Sequence, residues 1–319
     1  GEETHRGYRM SGVYLLFGVI IPYAAGALFI FGLLYRIWKW AGAPVPFRIP
    51  TTCGQQKSLP WIKPSYLDNP YNTPGVIGRM ALEVLLFRSL LRNTSVQLKQ
   101  QAKRLIYSES LGLWLAALLF HWALLIILLR HLRFFTEPVP GFILGLQSLD
   151  GVFEIAVPTL FISDIIILLA LSYLIFRRVA QSQIRFISLP SDYLAVLLIL
   201  GVVFSGLLMR FFYKVDISAV KELALSVITF SPITPPAELG FSFYIHLFLF
   251  CALLAYFPFS KMAHMAGVFL SPTRNLANNN RMRRHVNPWD YPVKVHTYEE
   301  YEDEFRDVMK AAGLPLEKE

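Results

Sequence analysis

The stretch HWALLIILLRH, residues 121–131, is an apolar run with a histidine at each end. It closes the longer segment LGLWLAALLFHWALLIILLRH, residues 111–131, which has the roughly 20-residue length a helix needs to cross a bilayer. Titratable side chains inside such a segment are costly and therefore usually functional. The pattern returns near the other end of the chain. There IHLFLFCALLAYFPFSKMAH, residues 245–264, carries His246 and His264.

Composition supports a membrane setting. Of 319 residues, 55% are hydrophobic and only 16% charged, with 25 Phe, 15 Tyr and 6 Trp, which excludes a soluble domain of this length. Five apolar segments are long enough to span, near residues 13–35, 110–131, 155–176, 193–213 and 242–264. A sixth, VIGRMALEVLLFRSLL at 76–91, is interrupted by Arg79, Glu83 and Arg88 and reads as an amphipathic helix on the membrane surface. The first segment is too long for a signal peptide and lacks a small-residue cleavage site. The expected fold is thus an all-α bundle of five transmembrane helices.

The basic residues set the orientation. The stretch 36–109, the 177–192 loop and the tail from Lys261 hold 23 of the 30 Lys and Arg, against seven in the other polar regions. The positive-inside rule makes the first group cytoplasmic, with the N-terminus outside and the C-terminus inside. The net charge of +8 therefore reports topology and not a nucleic-acid partner. The chain divides into an N-terminus with the first span (1–36), a cytoplasmic linker with the amphipathic helix (37–109), a four-helix core (110–270) and a cytoplasmic docking tail (271–319). In the tail, Thr297 followed by Glu300 forms a capping box for a helix near 297–312. A multi-pass protein of the cytoplasmic membrane is expected, in contact with lipid.

Two cysteines, Cys53 and Cys251, cannot build a disulfide framework, a zinc site or an iron–sulfur cluster within the chain, and no C-x-x-C-H occurs. The histidines are more informative. His5, His285 and His296 lie in polar termini, whereas the other four fall two apiece on the second and fifth spans. On an unbroken helix His246 and His264 would share a face about 27 Å apart, and His121 and His131 would lie about 15 Å apart. The two spans are antiparallel, so His131 pairs with His246 near the outer surface and His121 with His264 near the cytoplasm. Each pair suits an iron porphyrin held between two imidazoles, so the set points to two b-type haems. The unequal spacings require tilt, or a bend at Pro258. The competing reading is that the histidines are polar contacts between helices of a non-redox membrane anchor. A transporter is disfavoured by the lack of repeated halves.

Five spans with histidines ten apart on the second and eighteen apart on the fifth resemble the gamma subunit of respiratory nitrate reductase, a di-haem cytochrome b. The polar stretches TTCGQQKSLPWIK (51–63), DNPYNTPGVIGRMALEVLLFRSLLRNT (68–94) and SPTRNLANNNRMRRHVNPW (271–289) are similar to the cytochrome b subunit of the membrane complex associated with dissimilatory sulfite reduction. That subunit is itself akin to the membrane subunit of heterodisulfide reductase. The resemblance implies haem ligation by His121, His131, His246 and His264, with menaquinone as exchangeable substrate. It further implies a cytoplasmic iron–sulfur partner resembling the heterodisulfide reductase catalytic subunit, together with further membrane, c-type cytochrome and ferredoxin-like subunits. Sulfur chemistry would then belong to another chain. Near the outer pair, Glu154 and Asp164 are candidate acceptors for quinol protons, although Glu154 also reads as an interfacial charge. Arg130, Arg133 and Arg210 outside, and Lys261 and Arg274 inside, are candidate partners for haem propionates or snorkelling side chains.

Overall fold

The computed structural model describes residues 12–43, 65–92, 94–99, 104–153, 158–236, 239–279, 292 and 295–318. Glu154, Cys53 and the central parts of the linker and basic tail lie outside them. The described chain is mostly helical. Its long helices are α1 (Gly12–Ala41), α2 (Thr73–Leu86), α3 (Leu111–His131), α4 (Gly141–Asp150), α5 (Ile162–Ala180), α6 (Pro190–Phe211), α7 (Ile217–Ile228), α8 (Gly240–Tyr256) and α9 (Tyr298–Ala311). Two small antiparallel hairpins, Thr94–Lys99 with Arg104–Glu109 and Gly151–Phe153 with Leu160–Phe161, qualify the all-helical expectation.

Among the described residues four helices are long and apolar enough to cross a membrane: Gly12–Ala41, Leu111–Phe134, Pro190–Phe211 and Gly240–Phe259. Helix α5 has 19 residues but carries Asp164, Arg177 and Arg178. It nevertheless packs between α3 and α6, while α8 packs between α6 and α1. One core joins Phe120 and Ala123 of α3, Ile167, Ala170 and Leu171 of α5 and Ile199 of α6. A second joins Val19 of α1, Ala219 and Leu223 of α7, and Phe243 and Tyr244 of α8. The outer surfaces stay apolar: Phe31, Leu169 and Phe204 are each more than half exposed. Such surface is stable in contact with lipid and not with water.

Three elements differ from the sequence expectation. The third span was placed at 155–176, but the helix begins at Ile162, because the preceding strands pair and Asp150 accepts hydrogen bonds from Ser163 N (2.9 Å) and Oγ (2.6 Å). Asp164, read as lying well inside a helix, therefore sits in the first turn of α5, where a carboxylate complements the helix dipole. The surface helix expected at 76–91 starts at the cap Asn72 and breaks at Phe87, whose φ of 51° ends α2. In the span expected at 242–264 the α-helix stops at Tyr256, a 3₁₀ turn runs on to Phe259 and Ser260 is extended (φ −105°, ψ 176°), so His246 and His264 do not share one helix. Pro258 lacks an N–H for the helical ladder, and here it terminates the helix.

The linker and the tail meet. Asn278 Nδ2 donates to Asn69 Oδ1 at 2.7 Å and Asn278 N to Pro70 O at 2.7 Å, with both asparagines buried. Arg274 pairs with Glu83 at 3.3 Å. Beside this clasp, Asp68 takes ion pairs from Arg88 and Arg92. Burial raises its carboxyl, but the hydrogen bonds from Arg88, Arg92 and Ser65 outweigh burial and hold it well below the usual carboxylate range. A depressed folded value means the stabilisation is complete above the ordinary carboxylate value of about 3.9 and is lost as pH falls below it. Amide exchange across residues 65–92 should accelerate below that pH beyond the intrinsic change, and Asp68→Asn should remove the dependence. A pH-independent protection factor would refute this account. The capping box of α9 forms as expected, with Glu300 N donating to Thr297 Oγ1 at 3.2 Å and Thr297 N to Glu300 Oε2 at 3.1 Å.

Candidate functional site

The four core histidines sit on elements that do not pack along one another. Helix α3 lies on α5, and α8 lies on α6 and α1. His264, beyond the end of α8, meets His121 of α3. The rings of His121 and His264 are 5.9 Å apart between centroids with planes at 83°. His131 closes α3 ten residues further on, and His246 sits on α8 against Ser205 of α6.

Each ring has one nitrogen already engaged. His121 Nδ1 lies 2.7 Å from Ala117 O, His131 Nδ1 2.7 Å from Ile127 O and His264 Nδ1 2.8 Å from Lys261 O. A carbonyl accepts only, so Nδ1 carries the proton in all three and Nε2 keeps its lone pair. For His246 the partner is Ser205 Oγ at 2.9 Å. That hydroxyl donates its one proton to Val202 O at 3.0 Å, so it accepts from His246 Nδ1–H. All four imidazoles therefore offer the same atom, Nε2, in the form that binds a metal, with Nδ1–H held by an acceptor that fixes the ring. Among the described residues no three His, Cys, Asp or Glu side chains converge, so the donors come as pairs. The chemistry of these donors suits a haem iron held between imidazoles.

The His121–His264 pair is placed by the helix break. Where α8 ends, the carbonyls of Pro258 and Ser260 lose their helical partners, and Arg36 of α1 donates to both, at 2.9 Å to Ser260 O. Gly32 permits the approach, since a Cβ there would stand 2.9 Å from Pro258 Cβ. His121 is further enclosed by the rings of Phe87 (4.9 Å) and Phe120 (4.8 Å). Phe87 is delivered from α2, which is tied to α3 by Trp114 Nε1 donating to Leu86 O (2.8 Å) and Trp122 Nε1 to Leu85 O (3.1 Å).

On α6, Gly206 makes room for His246. A Cβ on it would lie 3.2 Å from His246 Cε1 and 3.6 Å from Nδ1. Gly206→Val should therefore displace this ring and not the His121–His264 pair. Nitrogen-coordination spectra of the purified protein should show one site perturbed and the other unchanged, and two unperturbed sites would contradict the placement.

The charged candidates find protein partners. Arg130 bridges Asp150 (3.0 Å) and Asp164 (2.9 Å), and all three are buried. Phe161 lies between two guanidinium groups, Arg130 at 3.6 Å and Arg210 at 4.0 Å from its centroid. Arg210 also donates to Thr159 O at 3.1 Å through Nε. Arg133 donates to Gln147 at 2.8 Å. Lys261 pairs with Asp192 at 2.7 Å, and Arg274 with Glu83. Sequence reasoning missed Asp150, Ser205, Gly206, Arg36 and Phe87. None of them carries a motif, and each matters only through a contact made across the fold.

Residues 75–284 match the nitrate reductase gamma subunit family. Among curated proteins, the chain is 47% identical over 288 residues to the Hdr-like menaquinol oxidoreductase cytochrome b-like subunit of Archaeoglobus fulgidus, covering 88% of this chain and 85% of that protein. It is 45% identical over 276 residues to the protein of the same name from Archaeoglobus profundus, covering 85% and 81%.

Proposed function

Because the chain belongs to the nitrate reductase gamma subunit family, we propose that it is a di-haem cytochrome b carrying electrons between menaquinol and a cytoplasmic iron–sulfur subunit. The observation that carries this reading is the set of four imidazoles, two of them on α3, each with Nδ1 engaged and Nε2 uncommitted. Held between two such nitrogens, an iron porphyrin supplies one-electron transfer with both axial positions closed to oxygen and substrate. Menaquinol as donor, and a partner of the heterodisulfide reductase type, are supported by the name of the two relatives.

On this reading α5 also crosses the membrane, as the third of five spans, with the N-terminus outside and the C-terminus inside the cytoplasmic membrane. His131 and His246 hold the outer haem, and His121 and His264 the inner one. Glu154 and Asp164 stand at the outer end as acceptors for quinol protons. Asp164 does so as one arm of the Arg130 bridge, which lets Arg130 and Asp150 share any change in its charge. Arg133 and Arg210 outside, and Lys261 and Arg274 inside, are the cations nearest to hand for propionates, and Arg130 retains an uncommitted buried Nε. The clasp between Asn69 and Asn278 gives the cytoplasmic side an ordered face for the iron–sulfur partner. The further subunits and the sulfur substrate belong to the rest of the complex.

The test is a pyridine haemochrome assay on the purified chain, followed by addition of a menaquinol analogue. Two b haems per chain that the quinol reduces are expected. A colourless chain would leave only the anchor role.

A further inference from the structure

Near the outer histidine pair, but on the reverse face of α8, lies a cavity of about 340 Å³ between α1 and α8. Its walls include Val13, Tyr14 and Phe17 of α1 and Tyr244, Phe248 and Leu249 of α8. Tyr244 and Phe248 are one helical turn apart. His246, midway between them, points about 200° away, so the cavity and the imidazole are separated by the width of one helix, about 10–12 Å with side chains.

The walls are aromatic and paired. Tyr14 and Tyr244 stack at 5.1 Å and 24°, and Phe17 meets Phe248 edge-on at 5.8 Å. The rim is apolar and open: Val13 is 51% exposed and Phe241 80%, both on helices of spanning length, so the mouth faces lipid. One polar atom interrupts this lining. Tyr244 is 7% exposed, and its hydroxyl is buried without a hydrogen-bond partner. Tyrosines buried to this degree normally find a partner, and an unmade hydrogen bond is a cost that phenylalanine would avoid. A hydroxyl kept there in spite of that cost is explained by an acceptor that arrives with a ligand.

The ligand that fits is flat, aromatic and apolar, carries an acceptor oxygen, and enters from the bilayer. We propose that this crevice binds the head group of an isoprenoid naphthoquinone, with the Tyr244 hydroxyl donating to one quinone carbonyl and the tail leaving past Val13 and Phe241. This deepens the menaquinol-linked reading above and rests on it. Tyr244 positions the ring and keeps its proton. A lipid acyl chain could fill the same groove but offers no acceptor oxygen for the hydroxyl.

The experiment uses the full chain in lipid nanodiscs free of quinone. A short-tailed naphthoquinone is titrated at equilibrium, and a photoreactive analogue is cross-linked and mapped by mass spectrometry. Cross-links are expected within residues 13–17 and 241–249. Tyr244→Phe should weaken binding about ten-fold, as the loss of one hydrogen bond does. Val13→Trp, which fills the mouth, should abolish it, with haem content of both variants unchanged. Cross-links elsewhere, equal affinity in Tyr244→Phe, or only co-purified phospholipid in the crevice would overturn the proposal. If menaquinol still reduces the chain in any of those cases, the wider functional reading survives. If quinone neither binds nor reduces the chain, both fail.

Discussion

Alanine at His264 is expected to halve the haem content of the purified chain and to spare the outer site, and alanine at His131 to do the converse. The reason is geometric. His121 and His131 are ten residues apart on α3, about 15 Å along an unbroken helix, so no single cofactor spans both. His264 is 5.9 Å from His121 between centroids, whereas His246 is held against Ser205 on another helix and is the proposed partner of His131. Removing one imidazole strips its site of one of two protein ligands and leaves the other site with both. The two variants should therefore lose spectroscopically different haems, and His264→Ala combined with His121→Ala should lose no more than His264→Ala alone. Helical circular dichroism provides the control for folding. Haem content unchanged in both single variants would sink the ligand assignment, and loss of the same haem in both would sink the pairing.

Arg130→Met is expected to be the most destabilising of the charge substitutions, by about 3–5 kcal/mol, because it leaves two buried carboxylates without their common partner. Exposure of 7% for Arg130, 6% for Asp150 and 9% for Asp164 leaves little water to screen them. The stacking of Arg130 on Phe161 is lost as well. Asp150 keeps two hydrogen bonds from Ser163, so the greater strain falls on Asp164. The double variant Arg130→Met, Asp164→Leu should accordingly recover much of the loss, since replacing a buried ion pair by apolar groups of similar volume is often close to neutral. Reversible unfolding in mixed micelles measures both. A single variant within about 1 kcal/mol of wild type would show that the bridge is not a structural element.

Much of the site was legible along the chain. The four histidines stand out because a membrane segment tolerates few titratable groups. The helix of the tail was equally plain, because a capping box is a local device of four residues. The helix break before His264 was less so. Pro258 signals a possible bend, but the complete stop depends on Arg36, more than 200 residues earlier, accepting the role of partner to the freed carbonyls. The start of the third span was misplaced for a similar reason. Hydropathy does not register that Asp150 binds Ser163 and that the strands before α5 pair.

By itself the amino-acid sequence determined the solvent this protein folds in, the number of candidate ligands and their identity as imidazoles, because these follow from composition and from local spacing. Tertiary structure alone decided which nitrogen of each imidazole is offered, that Arg130 is shared by Asp150 and Asp164, and that Tyr244 carries a buried hydroxyl beside a lipid-facing crevice. Those properties arise from hydrogen bonds and close approaches between residues far apart in the chain. No local pattern encodes them, because their partners exist only once the helices have packed.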